Sequence, residues 1–177
     1  MSTTVIIVLI ILGFLLLVAT LLALFLKVNW KTESVISIDA TRKMIFQQLN
    51  RSKNWENWLN VSPRHEAIDV EIGTTEDGPG AIQQWKSTEM EGKIAITKHQ
   101  PEDHVEYLFN FDHQQFNVHA TIKIADINNQ HHVIWVSKLN MKQLQPFGRI
   151  KGAALKMLMQ EIQEKSLAQL KAYLENY

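Results

Sequence analysis

The first apolar segment, residues 5–26, contains no charged residue, no proline and one glycine. As an α-helix it would be about 33 Å long, which matches the roughly 30 Å hydrocarbon core of a bilayer. A signal peptide has a shorter apolar region after a basic segment, and Met1-Ser2-Thr3-Thr4 carries no basic side chain. A helix buried in a soluble core would show a polar stripe, which this segment lacks. The pattern therefore predicts a retained, single-pass transmembrane helix over 5–26.

Basic residues flank the C-terminal side of this segment, at Lys27 and Lys31, with Arg42 and Lys43 further on. The positive-inside rule then favours a cytoplasmic position for the rest of the chain. Trp30 follows the segment closely, and we expect its amphipathic ring to lie at the membrane interface.

The remainder of the chain alternates apolar and polar residues over several stretches, which predicts β-strands with one buried face. One apolar and one polar face per strand is typical of an antiparallel sheet covered on one side. The predicted strands are 34–38, 67–72, 81–87, 93–99, 105–111, 116–127 and 133–141. Turn-forming residues lie between them at 77–80, 91–92 and 128–129.

Helical spacing occurs in three further places. Residues 42–49 follow Asp39 and Thr41, and either side chain is a suitable helix cap. A second short helix is predicted over 53–59, and a long one over 147–175. The long helix has an apolar stripe that is expected to cover the sheet, consisting of Leu155, Leu158, Met159, Ile162, Ser166, Leu170 and Tyr173.

Two glycines, Gly148 and Gly152, lie in the first turns of the long helix. Glycine lowers helical stability, so we expect either a frayed start or a mobile entrance to a cavity.

This order of elements resembles the START-like (SRPBCC) superfamily, in particular its polyketide cyclase/dehydrase branch. The resemblance covers about residues 31–176, which we take as one domain, and it is carried by four segments: SISIDATRKMIFQQLN, NWENWLNVSP, DGPGAIQQW and EKSLAQLKAYLE. It implies an α+β helix-grip fold, in which a curved antiparallel sheet surrounds a long C-terminal helix. It also implies a cavity between sheet and helix for an apolar molecule, and it transfers no catalytic residue to this sequence.

Charge and composition narrow the classes of function. The 18 basic and 18 acidic residues balance, so the chain lacks the basic excess expected of a nucleic-acid-binding protein. It has no cysteine, which excludes disulfides, thiolate catalysis and cysteine-based zinc sites.

Ionisable residues form no recognisable catalytic or metal motif. The seven histidines show no paired ligand spacing, although His113 and His119 would approach each other across a hairpin. Asp69 and Glu71 are predicted to point to solvent, because their parity is opposite to the apolar positions of the same strand. No phosphate-binding glycine loop or nucleophile elbow is present. The sequence therefore predicts no catalytic set, no metal and no cofactor.

Large apolar side chains on the inward parity are the best functional candidates. They either fill the core or line a pocket, and the sequence leaves both alternatives open. Polar groups expected to face such a pocket are Gln83, Ser137 and Ser166. The predicted lining residues are Trp58, Trp85, Tyr107, Phe109, Phe116, Val118, Trp135, Leu155, Leu158, Met159 and Ile162.

The preferred hypothesis is a membrane-anchored START-like domain that binds a lipid or another hydrophobic small molecule without catalysis of its own. One alternative is a polyketide cyclase/dehydrase-like enzyme, which would need a pair of inward-facing ionisable groups. A second alternative is a partner-binding module, which would show a large exposed apolar patch. The sequence points to no particular protein partner.

Overall fold

The computed structural model describes residues 3–25, 29–61, 69–86, 91–111, 116–140 and 146–176. The helices in these ranges are α1 (Thr3–Phe25), α2 (Arg42–Asn50), a 3₁₀ helix (Ser52–Asn57) and α3 (Pro146–Glu175). The strands are β1 (Asn29–Ile38), β2 (Asp69–Ile72), β3 (Ile82–Lys86), β4 (Glu91–Gln100), β5 (His104–Phe111), β6 (Phe116–Ile127) and β7 (Gln130–Asn140).

The strands of the described chain form one antiparallel seven-stranded sheet in the order β1-β7-β6-β5-β4-β3-β2. Together with α3 they give the predicted α+β helix-grip fold, so the expected fold class is confirmed. β1 begins earlier than predicted because β7 pairs with its whole length, from Asn29 opposite Asn140 to Ile38 opposite His131.

The contact of α3 with β1 joins the two ends of the domain. The two elements run in the same direction: Trp30 Nε1 donates to the Gly152 carbonyl at 3.0 Å, and Lys171 Nζ donates to the Ser37 carbonyl at 2.7 Å. The expected position of Trp30 at a membrane interface is therefore wrong. Its side chain is on the inward side of β1 and is buried against α3. Gly152 has no side chain there, and its carbonyl oxygen accepts the indole N–H.

The short helices after β1 cover part of the inner face of the sheet. Thr41 caps α2, because its hydroxyl accepts the backbone N–H of Met44 at 3.3 Å. The predicted second helix is the 3₁₀ helix, and it ends before Trp58. Trp55 and Trp58 are nevertheless both buried, and each indole N–H donates to a backbone carbonyl of α2.

The turns at 77–80 and 128–129 are confirmed. Asn128 and Asn129 have φ angles of 51° and 63°, the left-handed pair that a two-residue hairpin requires. Gly78 and Gly80 also have positive φ angles.

β2 departs from the predicted burial pattern. Val70 and Ile72, predicted on the inward parity, are 43% and 42% exposed. β2 is at the edge of the sheet opposite β1, and α3 packs at the β1 edge, so the covering helix does not shield it. Ile68, assigned to the same face, lies outside the described residues.

α1 is not a core helix. Its apolar side chains are largely exposed, with Ile10 at 65% and Phe14 at 63%. The Thr20 hydroxyl donates to the Leu16 carbonyl at 2.8 Å, which satisfies this polar group inside an apolar helix. Residues Thr3–Leu21 have a mean hydropathy of 3.1, so the segment is long and apolar enough to be a membrane span or a signal sequence.

The predicted turn at 91–92 is wrong, because both residues belong to β4. Gly92 lies opposite Trp85, and the indole of Trp85 crosses over it. A Cβ atom at position 92 would be 2.3 Å from Cζ2 of Trp85 and 3.0 Å from the Asn110 carbonyl oxygen. The glycine is therefore required by the close approach of a neighbouring side chain.

Replacing Gly92 by alanine is expected to destabilise the domain by about 1–3 kcal/mol, the usual effect of overpacking. Thermal unfolding of the full chain in detergent would measure this. Gly13→Ala is a matched control, since nothing lies within 4 Å of a Cβ atom there. Equal melting temperatures for both variants would contradict the proposed role of Gly92.

Candidate hydrophobic binding site

The inner face of the sheet is built from alternate residues of its strands. On β5, Val105, Tyr107, Phe109 and Phe111 are buried, whereas the intervening residues are half-buried. The predicted lining residues lie on this face or on the facing side of α3, except Trp58, which directly follows the 3₁₀ helix. Their exposed fractions are 7% or less for Trp58, Trp85, Tyr107, Phe109, Phe116, Val118, Trp135, Leu155, Met159 and Ile162, and Leu158 is half-buried.

The aromatic rings on this face contact one another. Phe109 is at the centre, with its ring centroid 6.0 Å from that of Trp135 and 6.1 Å from that of Phe111. Trp58 meets Trp135 edge-on at 6.1 Å. Such offset and edge-to-face pairs add about 0.5–1.5 kcal/mol each beyond the burial of their area.

The centre of this face is filled in the described structure. Phe109, Val118, Trp135, Met159 and Ile162 have 0% exposure, so no water-sized space adjoins these side chains. An apolar ligand at this position would require side chains or α3 to move. The assignment of these residues to a ligand pocket stays a prediction.

Tyr107 is the ionisable side chain at the base of this face. Its hydroxyl donates to the Leu49 carbonyl at 2.7 Å, and the same carbonyl accepts the indole N–H of Trp55 at 2.9 Å. Burial raises the pKa of Tyr107 well above its ordinary value of 10.0. The phenol is therefore neutral and already committed as a donor, which suits a structural role.

Polar side chains form a cluster beneath α3. Ser137 Oγ accepts hydrogen bonds from Trp135 Nε1 at 3.1 Å and from Gln163 Nε2 at 2.8 Å. Ser166 Oγ accepts the backbone N–H of Asn60 at 2.9 Å. Ser137, Ser166 and Gln83, which were predicted to face a pocket, are all buried, and their contact with a ligand stays a prediction.

The sequence analysis did not predict Gln163 and Thr32 as buried polar residues, although both are buried between the sheet and α3. A signal for each was present in the sequence. Gln163 directly follows Ile162 within the apolar stripe of α3, and Thr32 shares the parity of Trp30 and Ile38 on β1.

Among the described histidines, His99 packs beside α2, with its ring 5.9 Å from that of Phe46 and its Nδ1 2.6 Å from Asn50 Oδ1. Asp126 bridges His131 Nδ1 at 2.6 Å and Arg42 Nη1 at 2.8 Å on the surface. The hydrogen bond from His131, together with Arg42, holds the pKa of Asp126 below its usual 3.8. In the described ranges no three His, Asp or Glu residues could hold a metal ion. His119 is exposed, and its suggested partner His113 lies outside these ranges.

Two open clefts are formed by described residues. A cleft of about 440 Å³ lies over the polar face of β2–β4, between Glu71, Lys86 and Lys93. The other, of about 700 Å³, is at the end of β1 beside Lys171 and Glu175. The lining of each cleft mixes apolar side chains with charged ones.

The sequence model described as "Polyketide cyclase / dehydrase and lipid transport" matches residues 29–175. The chain belongs to this family. The resemblance inferred from the sequence motifs is thereby confirmed for nearly all of the chain after α1.

Solved structures share the polyketide cyclase/dehydrase and lipid-transport fold. A protein from Rhodobacter sphaeroides has a TM-score of 0.60 at 16% identity, with 83% of this chain and 93% of that one covered. A Chromobacterium violaceum protein has a TM-score of 0.58 at 12% identity, covering 82% and 96%. At these identities the likeness concerns the fold alone. No curated protein matches the chain at a significant level.

Substituting Tyr107 by phenylalanine is expected to lower the free energy of unfolding by about 0.5–1.5 kcal/mol, the value of one hydrogen bond. The loss is limited because Leu49 keeps the N–H of Trp55 as a donor. Denaturant unfolding would measure it. If instead any ligand binding or activity of this family member were abolished while stability stayed unchanged, Tyr107 would have a direct functional role.

Proposed function

We propose that this protein is a membrane-anchored START-like domain that binds a lipid or another hydrophobic small molecule between its sheet and α3. The observation that carries the proposal is the aromatic inner face of the sheet, where Phe109 contacts Trp85 edge-on and stacks on Trp135. The family description, which includes lipid transport, supports the same conclusion.

Binding at a filled face requires movement, and the rim of α3 is the most suitable place for it. Leu158 is half-buried within the predicted lining, and Met157 beside it is 76% exposed. Leu155 and Leu158 are thus less completely buried than Leu167 and Leu170 further along α3, which are 2% and 0% exposed. We propose that a ligand displaces side chains around Leu158.

An enzyme of the cyclase/dehydrase kind is the second candidate. It would need a pair of ionisable groups facing the ligand. The buried polar side chains of the described residues are uncharged: Thr32, Ser52, Gln83, Ser137, Gln163 and Ser166. This supports binding over acid–base chemistry, so we favour a binding protein.

The anchor fits this function if residues 5–26 cross the membrane. Phe25 and Asn29 are four positions apart, so the end of α1 lies at most about 14 Å from the start of β1. The same end of the sheet carries Asn140 and the strand ends Phe111 and Phe116. We propose that the domain, residues 31–176, is therefore held close to the bilayer, where a lipid ligand is concentrated.

Lipid that co-purifies with the full chain tests the binding proposal. We expect Leu158→Glu to reduce the extracted lipid per protein severalfold, because it places a charge at the rim of the apolar face. Met157→Glu is the matched control, since it puts the same charge on an exposed neighbouring position. Mass spectrometry of lipid extracts gives the measurement. A wild-type protein that is repeatedly empty, and that also fails to bind apolar dyes, would contradict the proposal.

The anchor and its orientation are tested on a single-cysteine variant, because the natural chain has no cysteine. Lys98, whose side chain is 75% exposed, is replaced by cysteine. If the domain is cytoplasmic, a membrane-impermeant maleimide labels the variant after cell lysis and leaves intact cells unlabelled. A permeant maleimide is the control. Labelling of intact cells would reverse the orientation, and an intact mass lacking the first apolar segment would identify a signal sequence.

A further inference from the structure

The polar cluster beneath α3 lies where three elements meet. Thr32 and Ser137 are direct partners across β1 and β7, as are Ser34 and Trp135. Side chains of such pairs on the same face lie about 4.5–5.5 Å apart at their Cβ atoms. Gln163 enters from α3 and bonds Ser137. Thr32, Ser34, Ser137 and Gln163 thus share one buried region, which we name the polar centre.

The polar centre is incompletely bonded. Thr32 Oγ1, Ser34 Oγ and Gln163 Oε1 are buried and have no hydrogen-bond partner. Reversing the Gln163 amide would leave its nitrogen unpartnered instead, because only one end of the amide reaches Ser137. Buried polar atoms in native proteins are nearly always bonded, and several orphans in one place call for an explanation.

The chemistry of the orphan atoms specifies what would satisfy them. Thr32 and Ser34 carry hydroxyls that both donate and accept, whereas the Gln163 oxygen only accepts. A ligand hydroxyl fits this set, because it donates to Gln163 and accepts from a serine or threonine. A carboxylate only accepts, and the buried polar side chains in the described residues offer it no positive charge.

We infer that the polar centre binds the hydroxyl group of a neutral lipid alcohol, an inference that rests on the proposed binding function. Trp135 lies next to the centre on β7, with Phe109 stacked on its ring. The hydrocarbon part of the ligand would lie along these fully buried rings after side chains or α3 have moved. Thr32 is three positions from Asn29, the start of β1. The hydroxyl therefore lies about 10 Å along β1 from its first residue, at 3.3 Å per residue.

The test measures retention of radiolabelled 1-tetradecanol, tetradecane and tetradecanoate on the immobilised full chain in detergent micelles. For each protein the affinity ratio of alcohol to alkane is determined, and comparing this ratio between variants cancels partitioning into micelles. We expect Thr32→Val and Gln163→Leu each to lower the ratio about tenfold, which corresponds to one buried hydrogen bond to the ligand. Affinity for tetradecane should be unchanged or increased.

Matched controls make the same chemical changes on the surface. Thr97→Val and Gln160→Leu alter exposed residues of β4 and α3, and both should keep the wild-type ratio. Thr32→Val is nearly isosteric, so its alcohol-to-alkane ratio can be measured even if Gln163→Leu does not fold.

The outcomes separate the inference from the function on which it rests. If the wild type retains none of the three probes, the binding function itself fails. If the probes are retained but the ratio is unaffected by both variants, or tetradecanoate binds most tightly, the polar centre does not recognise an alcohol. A higher melting temperature for Thr32→Val with an unchanged ratio would show that the Thr32 hydroxyl is only an unsatisfied group of the core and binds no ligand.

Discussion

The position of β1, which pairs with β7 and packs against α3, is the constraint on which the rest of the structure depends. β1 supplies one edge of the sheet and is also the strand along which α3 lies. Trp30 is bonded to α3 near one end of this contact, and the backbone N–H of Asp39 donates to Glu175 at 2.8 Å near the other. Because both ends are fixed, the side chains between them have one register, and the polar centre is assembled within it.

The same register brings the inward hydroxyl groups of β1 and β7 under α3. Tryptophan and phenylalanine rings on β3 and β5 lie far from β1, where no long helix is available and the rings must cover one another. Under α3 several inward side chains of the sheet are small, namely those of Thr32, Ser34 and Ser137. A helix therefore approaches closely there, and Gln163 contacts the backbone and side chains of β7.

Much of the fold was predictable because half-buried strands carry a local signal. On β5 and β6 the alternation extends over the whole strand, and the structure follows it to within a residue. Contacts between distant residues have no such signal. Gly92 resembles a turn glycine until Trp85 is placed across it, and Trp30 resembles an interfacial tryptophan until Gly152 is placed beside it. Filled cores and lined pockets also use the same apolar residues, so residue type alone did not decide between them.

The pairing of β1 with β7 also has a consequence for the synthesis of the chain. The first strand of the domain leaves the ribosome about ninety residues before its partner, and at roughly 5–20 residues per second this is several seconds. During that interval β1 has an unpaired edge while the sheet from β2 to β6 is being made. The native domain therefore closes only when its last strand and helix emerge, and a nascent chain stalled before residue 130 would expose β1 to aggregation or to chaperones.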